Sequence, residues 1–385
     1  MLMLNDEEII MQFRDLKKQY QVLKRDIDPT VEEVMTNCNF ISGSQVSGLE
    51  KELADYVGVK HCITCANGTD ALYLAMLVWQ MKKGDAVLVP DFTFFSSAEV
   101  VAHAGATPIF VDVDADTYNV DTVKLEKKIE EVKAEGKYNL RAIIAVDLFG
   151  LPANYTEIRK IADRHGLLVL EDAAQGFGGE IDRKRACSFG DISTTSFFPA
   201  KPLGCYGDGG AVFTDNDEWA ELLLSYRVHG KGSTKYDNVR IGLNSRLDTV
   251  QAAILKIKLK AFEEYEVRDV NQVADRYTDK LAGLVKLPIV PNGFMSSWAQ
   301  YTIQLDSKKA RDGLQAFLKE RDIPSMIYYQ KQMHLMEAFD KSIYKHEDYE
   351  ITNQLCDTVL SLPMHPYLED DDMDKTVSVI KEYLK

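Results

Sequence analysis

The sequence contains no apolar segment long enough to cross a membrane. A spanning helix needs about 20 consecutive apolar residues, and no run within the 385 residues approaches that length. Residues 1–18 place acidic residues before basic ones and have no apolar core of the kind found in secretory signals. We therefore expect a protein without a membrane partner that stays in the cytoplasm.

The chain also lacks the excess of positive charge that general nucleic-acid binding requires. It has 45 basic and 60 acidic residues, a formal net charge of −15, so we expect no nucleic-acid partner. The basic residues are unevenly spread, because Asp237 is the one acidic residue between Arg227 and Arg246. This stretch is either a solvated basic loop or a local site for an anion.

A second cysteine pair, which a four-ligand zinc site would need, is missing. Cys62 and Cys65 have the C-x-x-C spacing, but no similar pair follows among the six cysteines. If the segment from His61 to Cys65 is a strand, the two thiols point to opposite faces and cannot share an ion. We expect buried, inert thiols and no metal.

The first 170 residues alternate short apolar runs with helix-like segments. The runs are β-branched and apolar on both faces, as in strands covered on both sides. Such alternation predicts an α/β fold with a mostly parallel sheet between helices. The predicted strands are 61–64, 86–89, 107–111, 142–146 and 167–170, and the predicted helices are 71–81, 97–104, 123–135 and 155–165.

The pattern changes after residue 191. Two strands, 194–198 and 210–214, are predicted on either side of a glycine-rich bend, and a long helical region follows over 247–283. The remainder resembles a smaller α+β unit. Its predicted strands are 300–305 and 323–329, and its predicted helices are 310–320 and 371–384. We place the boundary inside the long helix, giving a large domain over 1–260, with an N-terminal helical segment, and a small C-terminal domain over 261–385.

Two polar segments directly follow predicted strands. Residues 67–71, Asn-Gly-Thr-Asp-Ala, open a helix, whose free N–H groups and dipole suit a phosphate. The alternative is an ordinary helix cap, since Asn, Thr and Asp all cap well. Residues 171–175, Glu-Asp-Ala-Ala-Gln, follow a strand where ligands of open α/β sheets collect. There Asp172 either pairs with a protonated ring nitrogen or caps a turn.

A third segment, residues 196–210, places Lys201 between two prolines and a run of glycines. In an apolar, rigid setting a lysine loses its proton more readily and becomes a nucleophile that can form a Schiff base. The alternative is a glycine-rich hairpin with an exposed lysine. A fourth segment, residues 242–248, lies in the basic stretch at the entrance to the long helix.

Together these segments resemble one family, the DegT/DnrJ/EryC1/StrS sugar aminotransferases, which belong to the fold-type I enzymes that depend on pyridoxal phosphate (PLP). The resemblance covers nearly the whole chain. The combination of segments is specific to the family, although each segment alone is weak evidence. It implies a large PLP-binding domain like that of aspartate aminotransferase and a smaller α+β domain. The similar segments are 43–50, 67–72, 90–97, 171–175, 196–210, 229–230, 242–253 and 361–366.

The resemblance implies a role for each residue around the cofactor. Lys201 matches the lysine that forms the Schiff base and then moves protons. Asp172 matches the carboxylate paired with the pyridinium nitrogen, and Gln175 matches the partner of the ring hydroxyl. Phe94 lies where the family has an aromatic ring stacked on the cofactor. The matching phosphate contacts are Gly68, Thr69 and Ser196, with Asn244 supplied by the neighbouring subunit.

The resemblance also implies contacts with a sugar substrate and a homodimer with shared active sites. Arg246, next to Asn244, is expected to reach an acidic sugar or its diphosphate from the partner subunit. Tyr328 and Tyr329 match a stretch that lines the sugar site. His229 is either a contact to substrate or cofactor phosphate, or a solvated loop residue.

The implied reaction is transfer of an amino group, from glutamate, to a nucleotide-linked keto-sugar for cell-surface polysaccharide such as lipopolysaccharide. The amino group passes through pyridoxamine phosphate (PMP). Three runs look most similar to the enzymes that aminate position 3 of UDP-linked 3-keto-N-acetylhexosaminuronic acids. The alternatives are a PLP-dependent sugar dehydratase, in which histidine replaces the lysine, and a regulatory relative without catalysis.

Overall fold

A computed structural model describes residues 11–234 and 236–385. The helices among these residues are α1 (Leu16–Asn37), α2 (Ser44–Val57), α3 (Gly68–Val78), α4 (Ser96–His103), α5 (Thr122–Glu135), α6 (Tyr155–His165), α7 (Asp217–Tyr226), α8 (Thr249–Ala261), α9 (Val267–Leu281), α10 (Lys308–Lys319), α11 (Glu350–Thr358) and α12 (Asp370–Tyr383). The strands are β1 (His61–Cys65), β2 (Asp85–Pro90), β3 (Thr107–Val111), β4 (Asn139–Val146), β5 (Leu168–Asp172), β6 (Glu180–Ile181), β7 (Lys184–Arg185), β8 (Ile192–Ser196), β9 (Gly210–Thr214), β10 (Phe294–Met295), β11 (Tyr301–Gln304) and β12 (Val359–Leu362).

A seven-stranded sheet in the order β1-β9-β8-β5-β4-β2-β3 forms the centre of the fold. The pairs β2–β3, β2–β4, β4–β5 and β5–β8 are parallel, whereas β9 runs against both β8 and β1. Helices α3, α4 and α7 cover one face, and α2, α5, α6 and α8 contribute apolar residues to the other. The predicted α/β fold with a mostly parallel, doubly covered sheet is therefore confirmed.

The predictions for the sheet region are close to the structure. Each strand predicted between residues 61 and 214 overlaps an observed strand, and each predicted helix overlaps one of α3 to α6. Helix α3 begins three residues earlier than predicted because the Asn67 side chain accepts the Asp70 N–H at 2.8 Å. The sequence pattern missed helices α2, α7 and α11 and the extent of α1.

The strand predicted over 323–329 is wrong. Met326 makes only an isolated bridge to Ser361, and the partner of β11 is β12, more than 50 residues further along the chain. Pro324 has no N–H to donate to a sheet, which leaves this segment in an irregular conformation. The irregular segment leads into Tyr328 and Tyr329.

A second core lies in the C-terminal part of the chain. It joins α9, α10, α12, β11 and β12 around Tyr277, Tyr301 and Leu314, all fully buried. The predicted boundary at residue 260 falls in the last turn of α8, which continues through a π-helical turn (Phe262–Glu266) into α9. The division into two domains stays a prediction.

Strand β1, which extends the predicted strand 61–64 by one residue, places Cys62 and Cys65 as expected. Cys62 packs with the core formed by α2 and α8, whereas Cys65 packs on the other face with α3. Both thiols are buried, and burial raises the pKa of Cys65 to about 12.

Among residues 11–234 and 236–385, no helix has the length and apolar content that a bilayer-spanning segment needs.

The turn after β4 connects the large sheet to the C-terminal core. Gly150 has a φ of +108°, and a Cβ there would lie 2.5 Å from Trp298 N and 2.8 Å from Ala299 N. Its carbonyl accepts the Ser297 N–H at 2.9 Å. A side chain at this position would therefore meet both backbone strain and backbone atoms that cannot move aside.

We expect Gly150→Ala to lower the free energy of unfolding by about 3 kcal/mol or more, the sum of positive-φ strain and overpacking. The matched control is Gly166→Ala, since Gly166 has a φ of +65° and a Cβ there would meet nothing within 4 Å. Urea unfolding followed by circular dichroism measures both. Equal losses of unfolding free energy in the two variants would contradict a role for the close contact between Gly150 and the backbone of Trp298.

Candidate functional site

A cavity of about 490 Å³ opens at the carboxyl ends of the parallel strands β2, β4, β5 and β8. This is the edge at which open α/β sheets collect ligands. Nine of the twelve residues predicted from the sequence line it. They are Gly68, Thr69, Phe94, Asp172, Gln175, Ser196, Lys201, Tyr328 and Tyr329.

The start of α3 forms one wall of the cavity. Asn67 caps the helix, and Gly68 is its first residue. A Cβ on Gly68 would lie 2.6 Å from the Cβ of Ser196, so the close approach of α3 to the end of β8 requires glycine. Thr69 and Ser196 both line the cavity, and Thr69 Oγ1 lies 2.8 Å from Ser96 Oγ. Free backbone N–H groups and hydroxyls at a helix start are suited to an anion such as phosphate.

Strand alternation directs Asp172 and its neighbour Glu171 to different surroundings. Glu171 points away from the cavity and accepts hydrogen bonds from the N–H groups of Cys187, Phe189 and Gly190 and from the Ser193 hydroxyl. Asp172, the last residue of β5, lines the cavity. Of these two carboxylates, Asp172 is therefore the one available to a ligand.

Asp172 is buried and held in place by two donors. Ser97 Oγ donates to Asp172 Oδ2 at 2.7 Å, and the Ala174 N–H donates to Oδ1 at 3.2 Å. Burial raises the pKa of Asp172, and these two hydrogen bonds and the nearby Lys201 charge oppose that rise. A cationic group beside Asp172 would offset the desolvation and keep the carboxylate ionised.

Lys201 lies in a tight turn after β8. Its N–H donates to Phe198 O at 2.9 Å, and the Cys205 N–H donates to Phe197 O at 2.8 Å, which closes the loop. Burial lowers the pKa of Lys201 to about 8, against the opposing pull of Asp172, and the Arg14 charge adds to the lowering. At pH 7 about a tenth of the amine is then unprotonated and nucleophilic, far more than for a free lysine.

Gln175 connects the sheet to the irregular segment that carries the two tyrosines. Its side-chain oxygen accepts the Phe149 N–H at 2.7 Å, and its amide nitrogen donates to the Tyr329 hydroxyl at 2.9 Å. Burial raises the pKa of Tyr329, so its hydroxyl stays protonated. Phe94 is 54% exposed, and its ring centre lies 6.2 Å from that of Tyr329. This side of the cavity therefore offers aromatic surface and neutral polar groups.

Three predicted residues lie outside the cavity of their own chain. Asn244 bridges Val228 in an antiparallel pair. His229 lines a separate, open cavity of about 740 Å³ in the basic loop. Arg246, which lies in the same basic stretch of the chain, is half-buried. The expected roles of these residues, two of them in a partner subunit, stay predictions.

The contacts that orient the predicted groups have no local sequence pattern of their own. Ser97, the donor to Asp172, lies 75 residues away from it in the chain, and Thr93 Oγ1 lies 3.1 Å from Ser97 Oγ. Both belong to segment 90–97, for which the family resemblance is the one signal in the sequence. Arg14, whose guanidinium reaches the Lys201 turn, lies outside every segment that the sequence singles out.

Comparison with known proteins gives matches along nearly the whole chain. The model of the DegT/DnrJ/EryC1/StrS aminotransferase family matches residues 21–381. The UDP-2-acetamido-2-deoxy-3-oxo-D-glucuronate aminotransferase of Pseudomonas aeruginosa is 41% identical, with 94% of this chain and 96% of the relative covered. A UDP-N-acetyl-3-dehydro-alpha-D-glucosamine 3-aminotransferase of Acidithiobacillus ferrooxidans is 38% identical, with 96% and 97% covered. A pleiotropic regulatory protein of Geobacillus stearothermophilus is 39% identical, with 96% and 98% covered.

Solved structures also match the fold over nearly the whole chain. A DegT DnrJ EryC1 StrS aminotransferase from Brucella abortus superimposes with a TM-score of 0.94 at 47% identity, covering 97% of this chain and 99% of the other. A Bacillus subtilis protein solved with bound cofactor PMP superimposes with a TM-score of 0.85 at 27% identity, covering 94% and 82%. Sequence, cavity and fold agree, and the chain belongs to the DegT/DnrJ/EryC1/StrS aminotransferase family.

Proposed function

We propose that this aminotransferase uses PLP, bound through Lys201, to transfer an amino group from glutamate to a UDP-linked 3-keto-N-acetylhexosaminuronic acid. The observation that carries the proposal is the meeting of three groups at one cavity. These are the desolvated amine of Lys201, the buried carboxylate of Asp172 and the anion-binding start of α3. The names of two relatives, which are both 3-aminotransferases of UDP-sugars, support the acceptor.

The residues around the cavity suit PLP group by group. A volume of about 490 Å³ is typical of a site for a small ligand. Gly68, Thr69 and Ser196 would hold the phosphate, because they supply N–H groups and hydroxyls at a helix start. Asp172 would pair with the protonated ring nitrogen, a cation that would add to the effect of Lys201 in offsetting the desolvation of this carboxylate. Phe94 would cover the ring, and Gln175 would reach its hydroxyl.

When bound, PLP supplies an electron sink that stabilises negative charge at the carbon from which a proton is removed. The protein's own groups do the rest. Asp172, fixed by Ser97 and Ala174, would keep the ring nitrogen protonated. The Lys201 Nζ atom, which releases its proton readily, takes the proton from the amino-acid α-carbon and later returns one to the sugar carbon. Phe94 and Tyr329 place aromatic surface at the cavity in which these transfers would occur.

The overall reaction balances without an external oxidant or reductant. The amino acid exchanges its amino group and α-hydrogen for a carbonyl oxygen and leaves as a keto acid. The sugar carbonyl carbon gives up its oxygen and gains the amino group and a hydrogen in return, so the water released when the sugar is aminated balances the water used when the keto acid forms. We propose glutamate as the donor and cell-surface polysaccharide, such as lipopolysaccharide, as the use of the product.

Among the described residues that line the cavity, Lys201 is the one cationic side chain, whereas Asp172 and Asp208 are acidic. A UDP-linked uronic acid carries several negative charges, so additional cations are needed from outside the cavity. The basic loop with His229, Arg240 and Arg246 does not line the cavity of its own chain. We propose that a second copy supplies these cations, in a homodimer whose sites receive Asn244 and Arg246 from the partner subunit.

The exposed apolar residues of the same loop support this homodimer. Ile241 is 92% exposed and Val239 55% exposed, next to the basic side chains. Apolar groups left this exposed in a monomer are typical of surfaces that are covered in an assembly. The loop would then bring both its apolar tip and its cations to the partner's cavity.

Two other functions use the same fold. A sugar dehydratase of this family has histidine at the position of Lys201, and the lysine here favours transamination. A regulatory role is favoured by the name of one relative, the pleiotropic regulatory protein. Product analysis distinguishes all three functions, since only an aminotransferase incorporates an amine into the sugar.

Lys201 should be unusually reactive in the protein without cofactor. Because burial lowers its pKa to about 8, the fraction of unprotonated amine should rise through pH 8, roughly two units below a free lysine. Acylation rates at each pH, measured by peptide mass spectrometry, give the midpoint. Lys258 is the control, because its pKa is also lowered to about 8 but it is 1% exposed and outside the cavity lining. It should stay unlabelled, and a Lys201 midpoint near pH 10 would contradict the desolvation argument.

The two half-reactions test the activity itself. Wild-type protein loaded with PLP should release 2-oxoglutarate from glutamate and then aminate a UDP-linked 3-keto-N-acetylhexosaminuronic acid in preference to dTDP-linked keto-sugars. Lys201→Ala should lose turnover completely and show no PLP adduct after borohydride reduction, whereas the exposed-lysine control Lys260→Ala should behave as wild type. A dehydrated sugar without nitrogen would identify a dehydratase, and bound PLP without any half-reaction would identify a regulator.

Mixed dimers test whether the site is shared between subunits. Lys201→Ala and the double variant Asn244→Ala/Arg246→Ala should each be inactive or at least about tenfold slower, the scale of losing a charge-assisted contact. A mixed dimer of the two, purified through different tags, contains one intact site and should recover about half of the wild-type turnover. Mixed dimers no more active than their parents, or full turnover by a monomer at high dilution, would contradict the proposal.

A further inference from the structure

Arg14 contacts the Lys201 turn although it is not among the residues that line the cavity. It lies just before α1, whose cap is Asp15. Its Nη2 atom donates to the carbonyl oxygen of Lys201 at 2.7 Å and to that of Pro202 at 3.1 Å. The contact joins residues 187 positions apart in the chain. The N-terminal segment is thus attached directly to the backbone that carries the reactive amine.

The turn that Arg14 holds has little regular structure of its own. Residues 197–209 lie between β8 and β9, and the backbone bonds within the turn run from the Lys201 N–H to Phe198 O, from the Cys205 N–H to Phe197 O and from the Phe197 N–H to Gly209 O. Those bonds fix the start and the end of the turn. The Arg14 guanidinium fixes its middle, where the chain direction determines where the Lys201 side chain points.

Arg14 is half-buried and lies close to a buried polar cluster around Glu266. Burial lowers its pKa to about 10, and the nearby Glu266 and Tyr367 oppose the lowering. Glu266 is 3% exposed and accepts hydrogen bonds from Gln19 Nε2 at 2.8 Å and Tyr367 OH at 2.6 Å. A charge-assisted hydrogen bond from a guanidinium with few competing waters is stronger than one at the surface.

The Arg14 charge also affects the pKa of Lys201 and of other buried bases. The Asp172 carboxylate raises the pKa of the desolvated amine, and the Arg14 charge opposes that effect. Burial also lowers the pKa of two further bases, Lys258 and His365, and the Arg14 charge adds to the lowering in both. Glu266 is the acidic group that raises the pKa of both Arg14 and Lys258. The positive charge beside the turn therefore favours the unprotonated form of the Lys201 amine.

We propose that Arg14 is a positioning residue, which clamps the carbonyl groups of Lys201 and Pro202 and so directs the Lys201 amine at the cofactor. This inference rests on the proposed function, since it assumes that PLP reacts with Lys201. Loss of the clamp would leave the turn free to place the amine in several directions. Small misplacements of a reacting group commonly reduce rates by one to two orders of magnitude, roughly 10- to 100-fold.

The test compares four proteins without cofactor: wild type, Arg14→Met, Arg14→Lys and the control Arg25→Met. Methionine keeps an apolar stem but removes the charge and the donors. Lysine keeps the charge but lacks the planar donor group. Arg25 is an exposed arginine on α1. PLP is added, samples are reduced with borohydride over time, and the adduct on Lys201 is measured by mass spectrometry and normalised to the folded fraction.

We expect the adduct to form at least about tenfold more slowly in Arg14→Met, with Arg25→Met as wild type. The acylation midpoint of Lys201, measured without PLP, should move to higher pH in Arg14→Met, because a nearby positive charge no longer disfavours the ammonium form. In Arg14→Lys the adduct should also form slowly, but the midpoint should stay in place. A purely structural role would lower the melting temperature without moving the midpoint or the rate per folded molecule.

A folded Arg14→Met protein with the wild-type rate and midpoint would overturn the proposal. If Arg14→Met does not fold, Arg14→Lys decides, and a wild-type rate in that variant overturns the clamp. Failure of the PLP chemistry on which this inference rests looks different, because wild-type protein would then form no adduct on Lys201 at all. A protein that forms the adduct at the wild-type rate but carries out no half-reaction would contradict the proposed function and leave the clamp supported.

Discussion

The free-energy cost of removing charged groups from water determines how Asp172 and Lys201 ionise at the carboxyl edge of the sheet. Asp172 and Lys201 lie in surroundings that disfavour their charged forms, and their mutual attraction only partly offsets the penalty. A lowering of the Lys201 pKa from 10.5 to about 8 corresponds to roughly 3 kcal/mol against the ammonium form. The protein maintains this arrangement with fixed donors such as Ser97, and with a charged side chain, Arg14, that contacts the turn. The desolvation that disfavours the ammonium form of Lys201 is therefore also what makes its amine reactive.

The sheet makes this arrangement possible because its parallel strands end at one edge. Strand β5 delivers Asp172, β8 delivers Ser196 and leads into Lys201, and the chain after β2 delivers Phe94. The reversed strand β9 returns the chain from the Lys201 turn to the sheet and pairs with both β8 and β1. The turn is therefore anchored at both ends by strands, while its middle depends on contacts from distant parts of the chain.

Local sequence is enough to predict the strands of the sheet and the polar residues at their ends, although the family resemblance is needed to choose between a ligand contact and an ordinary cap. Apolar runs covered on both faces indicate the strands, and polar residues directly after them indicate Asp172 and Gly68. Contacts between distant segments leave no local pattern. The Ser97–Asp172 and Gln175–Tyr329 hydrogen bonds join residues 75 and 154 positions apart. The strand prediction over 323–329 is wrong because the apolar residues there fit a strand, although Pro324 cannot donate to a sheet.

The placement of the cysteines has a consequence for how the protein responds to oxidants. Cys62 and Cys65 lie on opposite faces of one strand, where Cα atoms three residues apart are about 10 Å from each other. A disulfide needs Cα atoms within about 7 Å, so these two thiols cannot be bridged unless the strand leaves the sheet. Cys38, at the end of α1, is the exposed thiol. Mild oxidation should therefore modify the periphery of the protein and leave its sheet, and the reactive amine that the sheet positions, unchanged.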